Sequence, residues 1–351
     1  MSLLHLEMDP ALLEMAQTVF ERQFERDPKL QKEYDARRKR RMLMDVQYNL
    51  VALDVTIRHQ AKALFFDHVR WLLEILVYRM PDHRPERVKE QLMEHLDVMG
   101  DVVAERWGVT RSQRARTIIA GAKTALSDTS IPEFDTRSID EDENALAKCF
   151  LDHLLSGEKV RASQFITSKV EAGMALPDIY LHVFKPAMYE IGRRWQQNRL
   201  TVDKEHYCTA IAQAIMAQFY PQIFSTPRKQ KTILAACVGS ELHEMGVRML
   251  CDVFELEGWD SIYLGAAVPE AGLMNAIDEH HPDLVALSVT MIHHLDTCFE
   301  TVRALNEDSR RGTFRLAVGG RATRSMSKQI QKWGVDAVAS DAETLVEWAS
   351  R

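Results

Sequence analysis

The chain has 351 residues, 46% of them hydrophobic and 27% charged, enough for two or three domains with full cores at roughly 150 residues per domain. A net charge of −7 argues against a general nucleic-acid or membrane-surface binder, and no apolar run is long enough to span a bilayer. The five cysteines (Cys149, Cys208, Cys237, Cys251 and Cys298) are scattered and mostly on apolar faces. Reduced thiols are expected, and with no signal-peptide pattern behind Met1 the expected location is cytoplasmic.

Residues 1–130 predict an all-helical domain, globin-like or a bundle of five or six helices. The first glycine is Gly100, and no proline interrupts 29–80. Helices are expected over 8–25, from Asp27-Pro28 onward, over 42–80 as one long segment, over 85–107, and from a Thr110 N-cap to 126. The run from Arg37 to Arg41 reads first as a solvated helix face. Glu33, Asp35 and Asp45 dilute its field and no recognition helix follows, so nucleic-acid contact is not expected. A further reading makes it an anchor for the propionates of a tetrapyrrole, since guanidinium pairs bidentately with carboxylate. His59, His68, His83 and His95 could neighbour such a group, though each reads first as a surface or structural residue. The region has no cysteine for covalent bilin attachment.

A polar stretch broken by Pro132 and closed by the acids Asp140 to Glu143 predicts a linker over 131–143. Four helical patterns over 144–155, 160–172, 179–197 and 203–224 predict a four-helix bundle across 144–226. From 230 to 351 strands (232–238, 261–264, 283–290, 315–318, 337–339) alternate with helices, which predicts a Rossmann-like five-stranded parallel sheet. The expected class is therefore α + α/β.

The first strand breaks at Gly239 and restarts as a helix through Ser240-Glu241-Leu242-His243-Glu244-Met245-Gly246. Doubly wound sheets hold ligands at such junctions. A neutral imidazole on a loop can ligate a metal, and Glu241 is close enough to tune His243. Gly246, lacking a Cβ, would let a bulky ligand lie against the backbone. Glu-x-His-x-x-Gly alone has many chance matches. Ser288-Val289-Thr290 and Gly319-Gly320 end two further parallel strands, so the three sets should line one crevice. On these residues the chain resembles the cobalamin-binding domain family over roughly its last third. The resemblance implies His243 as the lower axial ligand of cobalt, with Ser288, Val289, Thr290, Gly319 and Gly320 lining the channel for the nucleotide tail. Glu241, Leu242 and Gly246 would complete the floor. Adjacent histidines rarely chelate one ion, so His293-His294 is expected to be loop that flanks the corrin.

Within the bundle, Trp195 is followed by nine residues and then Glu205-His206. That spacing resembles the adenosylcobalamin-dependent photoreceptors of the CarH/LitR type, in which the bundle caps the upper face of the corrin. The resemblance implies that Trp195 packs on the adenosyl group and that Glu205 and His206 bond to it or respond to its loss. Core packing and a helix N-terminal pair are the plain alternatives. Two departures stand out. Gln196 occupies the position of the family's cobalt-binding histidine, and residues 1–130 do not read as the winged-helix DNA-binding domain of its repressors. An all-helical partner domain is similar instead to the photocobilins, which pair cobalamin with non-covalent biliverdin. The expected function is a homo-oligomeric light sensor, not an enzyme, without direct nucleic-acid or membrane binding. A corrinoid methyl carrier, or a light-independent cobalamin or redox sensor, is the alternative. Methyl carriers typically have Asp where this chain has Glu241.

Overall fold

A computed structural model describes residues 9–129 and 144–351. Asp9 accepts the backbone N–H of Ala11 and Pro10 follows at the first helical position, so α1 (Pro10–Arg26) begins at a cap and a proline that needs no donor. A short α2 (Leu30–Glu33) precedes α3 (Ala36–Arg58), which is capped by Asp35 accepting from Arg38 N at 2.7 Å. Then come α4 (Lys62–Arg79), α5 (Pro85–Arg106) and α6 (Val109–Asp128). Leu50, Leu53, Leu73, Leu96 and Met99, from the three middle helices, are fully buried where α3, α4 and α5 meet. The domain is all-helical, as its composition implies.

Several boundaries differ from expectation, among them the start of α3 at Ala36 rather than at 42. The helix predicted over 42–80 is two helices, because Gln60 takes a left-handed φ of 54° and reverses the chain between α3 and α4. Neither glycine nor proline marks that turn. The fifth long helix starts at Val109 with Gly108 as its N-cap, not from a Thr110 cap. Arg37, Arg38, Arg40 and Arg41 are exposed along the first turns of α3, the solvated face that the charge run predicts. The expected linker over 131–143 lies outside the described residues.

The bundle contains α7 (Ala145–Leu155, capped by Asn144), α8 (Lys159–Glu171), a composite third helix, and α11 (Val202–Met216). The third is α9 (Leu176–Ile179), a π-helical turn (Tyr180–Phe184) and α10 (Lys185–Gln196). Pro186 explains the widened turn. Its ring crowds the preceding turn and it has no N–H to donate, so an i→i+5 pattern relieves the clash. Pro221 likewise ends the regular α11 early, leaving α12 (Tyr220–Ile223) as a separate turn.

The sheet is all parallel, in the order β2-β1-β3-β4-β5, from β1 (Thr232–Val238), β2 (Asp260–Val268), β3 (Leu284–Ser288), β4 (Arg315–Gly319) and β5 (Ala337–Ala339). Its helices are α13 (Met245–Leu256), α14 (Glu270–His280), α15 (Leu295–Glu307), α16 (Ser327–Gln331) and α17 (Ala342–Ala349). β1 is buried on both faces, as its unbroken apolar run demands. Strand order reverses between β1 and β3, so a crevice opens between their carboxyl ends. One face of the sheet joins an apolar core that continues into the N-terminal domain, and the bundle packs on α13 and α17.

Candidate functional site

The chain leaves β1 at Gly239, whose φ of 55° and close approach to Thr297 (2.8 Å from where a Cβ would stand) require glycine. The next turn buries Glu241, 1% exposed, beneath the loop. An isolated buried carboxylate would be costly, and this one is surrounded by donors. Its Oε1 accepts from His243 N at 3.1 Å and His243 Nδ1 at 2.5 Å, and its Oε2 accepts from Thr290 N and Met291 N, both at 2.9 Å. Burial pushes the Glu241 carboxyl up, but His243 and the two backbone N–H groups overcome this and hold it at about 2. Glu241 therefore spans the switch point, tying the loop after β1 to the loop after β3.

That bond fixes the tautomer of His243. With Nδ1 donating to Glu241, the lone pair lies on Nε2, and the side chain is 58% exposed. Beside it Leu242 is 49% exposed, and nothing stands within 4 Å of where a Gly246 Cβ would be. One oriented imidazole beside an apolar side chain and bare backbone suits a flat, bulky ligand whose metal needs one further donor. The fit to a corrinoid rests on these three residues.

Ser288 and Thr290 are half-buried and Val289 is buried at the end of β3. Val289 N donates to Gly319 O at 3.0 Å, and Ala322 N donates to Val289 O at 3.2 Å. Gly320 has a φ of 102°, and a Cβ there would stand 2.3 Å from Val289 O. Glycine is thus required for the two strand ends to meet. The structure brings Glu241, His243, Ser288–Thr290 and Gly319–Gly320 into one crevice. His293 and His294, expected as loop, lie just past Met291 in a 3-10 turn (Ile292–His294) and are buried, with their rings 4.2 Å apart. Burial lowers both imidazoles, His293 to about 3.

The bundle residues are less directly joined to this crevice. Trp195 is half-buried near the end of α10, with the Arg79 guanidinium 5.5 Å from its ring centroid. Glu205 and His206 pair at 2.8 Å in the first turn of α11, and His206 is 62% exposed. Glu205 also accepts from Thr209 Oγ1 at 3.1 Å. Among the described residues the partners of these three lie in the helical domains and not in the His243 loop. The bridge is a residue the sequence did not single out, Glu244. It accepts from Gln213 Nε2 of α11 and from Ala266 N of β2, both at 3.0 Å. Gln213 follows His206 by seven residues, on the same face of α11, so that face is turned toward the loop. A second glutamate opening a helix was the available signal, and only its partners give it meaning.

In the N-terminal domain, Asn49 receives from His68 Nε2 at 2.8 Å and donates to His95 Nε2 at 3.1 Å, and burial lowers both imidazoles to about 4. His59 bonds Asp296 at 2.8 Å, while His83 stands 3.9 Å from Glu33. All four have structural surroundings. No helix among the described residues is long and apolar enough to cross a membrane.

Comparison with known proteins bears on this crevice. Residues 231–349 match the family described as B12 binding domain, and residues 146–220 match a second family of the same description. The chain is similar to the HTH-type transcriptional repressor CarA of Myxococcus xanthus, 30% identical over 152 residues that cover 43% of this chain and 51% of the repressor. It is also similar to the HTH-type transcriptional repressor CarH of the same organism, 29% identical over 165 residues, 46% of this chain and 54% of the repressor. The chain thus spans about half the length of these curated relatives. In fold it is like the Methanosarcina barkeri monomethylamine corrinoid protein, with a TM-score of 0.52 at 16% identity, covering 58% of this chain and 97% of that one. Residues 146–220, a helical bundle, and 231–349, a Rossmann-like sheet, are thus each similar to B12-binding domains, in an arrangement whose fold is like that of a corrinoid protein.

Proposed function

We propose that this protein is a light sensor that binds adenosylcobalamin between the His243 loop and the helical bundle. The observation that supports this most is the His243–Glu241–Thr290/Met291 constellation, which presents one oriented imidazole at the switch point of a sheet capped by a helical bundle. Adenosylcobalamin, when bound, supplies a cobalt–carbon bond that visible light breaks. His243 holds the metal, Leu242 and Gly246 receive the ring, and Ser288, Val289, Thr290, Gly319 and Gly320 line the tail channel. Trp195, Glu205 and His206 shape the upper pocket and exclude water from it. Emptying a pocket that Trp195 had packed against costs about 2–5 kcal/mol by analogy with core truncation. A bias of that size shifts the bundle on the sheet and, with it, the assembly of a homo-oligomer. Non-covalent biliverdin in the N-terminal domain belongs to the same reading, and an absorbance band in the far red on adding it is the expected result.

Dark-reconstituted protein under green light tests the proposal. The adenosylcobalamin spectrum should be lost and the hydrodynamic size should change; a cofactor indifferent to light refutes it. His243→Ala should remove the histidine-ligated spectrum in the dark. The second reading, a corrinoid methyl carrier, is favoured by the fold likeness to the monomethylamine corrinoid protein. It predicts transfer of a methyl group from a partner enzyme and no response to light.

A further inference from the structure

The N-terminal domain supplies none of the crevice residues above, yet it grips both parts that form the cleft. On the sheet side, Asp296 in the first turn of α15 accepts from His59 Nε2 at 2.8 Å and pairs with Arg58 at 2.5 Å, both at the end of α3. The His293 ring lies 5.5 Å from Tyr48 of the same helix. On the bundle side, Arg79 ends α4 and lies over Trp195, while Gln197 Nε2 reaches Glu74 Oε1 at 3.5 Å. The hairpin of α3 and α4 therefore touches the loop that carries Thr290 and Met291 as well as the helix that carries Trp195.

Trp195 stands one residue from the end of α10, and Asn198 beyond it takes a left-handed φ of 55°. Side chains on a last helical turn have few neighbours to fix their rotamers, and helix ends open at low cost. An indole there needs an outside contact to keep one orientation. A guanidinium over one ring face, 5.5 Å from the centroid, provides it by cation–π attraction and leaves the opposite face for another planar group. The positive side chain also sits at the carboxyl end of α4, where the helix dipole favours it.

We propose that Arg79 is a positioning residue for Trp195, so that the N-terminal domain sets which upper group the cobalamin pocket accepts. This rests on the reading above that Trp195 faces the upper side of the corrin. An exposed cation–π contact implies a roughly 2- to 5-fold effect on the preference for adenosylcobalamin over methylcobalamin.

The test uses the full chain labelled with 5-fluorotryptophan, the Trp195 resonance being assigned as the one lost in Trp195→Phe. In cofactor-free protein, Arg79→Gln should shift or broaden that resonance, and Arg79→Lys should do so less. In the dark, the ratio of dissociation constants for the two cobalamins should fall 2- to 5-fold in Arg79→Gln and at least as far in Trp195→Phe. An unmoved resonance overturns the proposal, as does a moved resonance with an unchanged ratio when Trp195→Phe lowers that ratio. If Trp195→Phe itself leaves the ratio unchanged, the capping role of Trp195 fails and the selectivity fails with it, while the resonance still reports whether Arg79 holds the indole.

Discussion

Replacing Glu241 with glutamine changes one atom of the side chain and should disable the site. The carboxylate is acceptor-only and meets four donors: His243 N, His243 Nδ1, Thr290 N and Met291 N. An amide offers one oxygen. If that oxygen faces Thr290 and Met291, the amide nitrogen points a hydrogen at His243 Nδ1, which then accepts and moves the ring proton to Nε2, the atom needed for the metal. If the oxygen faces His243, the amide opposes two backbone N–H groups and the loops part. Either way, about two charge-assisted hydrogen bonds at roughly 1.5–3 kcal/mol each are lost or inverted. Partners of this kind typically account for about 10- to 100-fold in metal affinity. Titration of the Glu241→Gln protein with hydroxocobalamin in the dark, followed by absorbance, should show that loss together with a weakened histidine-ligated spectrum. Binding within threefold of wild type and an identical spectrum would refute the reasoning.

Gly246→Leu should leave thermal stability unchanged or slightly raised, since glycine inside a helix costs roughly 0.5–1 kcal/mol and the space is open, yet cut cobalamin uptake at least about tenfold. Normal uptake would move the corrin elsewhere. Gly320→Ala should lose on the order of 2–4 kcal/mol in urea unfolding, from a positive φ and a clash with Val289; a loss below about 1 kcal/mol would contradict the close approach. The neutral imidazoles of His68 and His95, lowered by burial to about 4, predict acid sensitivity. Their folded-state values lie below the ordinary one, so their contribution is full above pH 6.5 and is lost as pH falls toward 4. Between pH 7.5 and 4.5, unfolding free energy should fall by up to roughly 2–3 kcal/mol per histidine. The double variant His68→Gln, His95→Gln should flatten that slope, and an unaltered slope would assign the acid response to other groups.

The alternation of apolar runs with helical patterns was enough to order the sheet region, because strands buried on both faces have a continuous hydrophobic signature. His243 was legible for a similar reason: it breaks a strand-to-helix junction where small residues are usual. What the sequence could not carry were contacts between distant segments. Thr290 and Met291 serve Glu241 through backbone groups that any residue type would supply. The turn at Gln60 has no glycine or proline, yet its left-handed residue closes α3 as a glycine usually does, with Gln60 N donating to Ile57 O at 3.3 Å and Ala61 N to Thr56 O at 3.1 Å. The π-helical turn before Pro186 escaped a helical periodicity read over 179–197, which averages across one widened turn. Arg79 and Trp195 lie more than a hundred residues apart, and only folding makes them neighbours.

The π-helical turn has one further consequence. It aims Tyr180 into the interface with α13, where its hydroxyl donates to Asp252 at 2.8 Å. Burial pushes the Asp252 carboxyl up to about 6 despite that bond and the nearby Arg248. Asp252 lies seven residues along α13 from Met245, about 10 Å from the loop end at a rise of ~1.5 Å per residue. Separating the two there would strip a sequestered acid of its donor, whereas the Gln213–Glu244 bond near the loop sits in a more open setting. The bundle is thus held at the rear by a bond sealed from water, and at the mouth by contacts that water can reach.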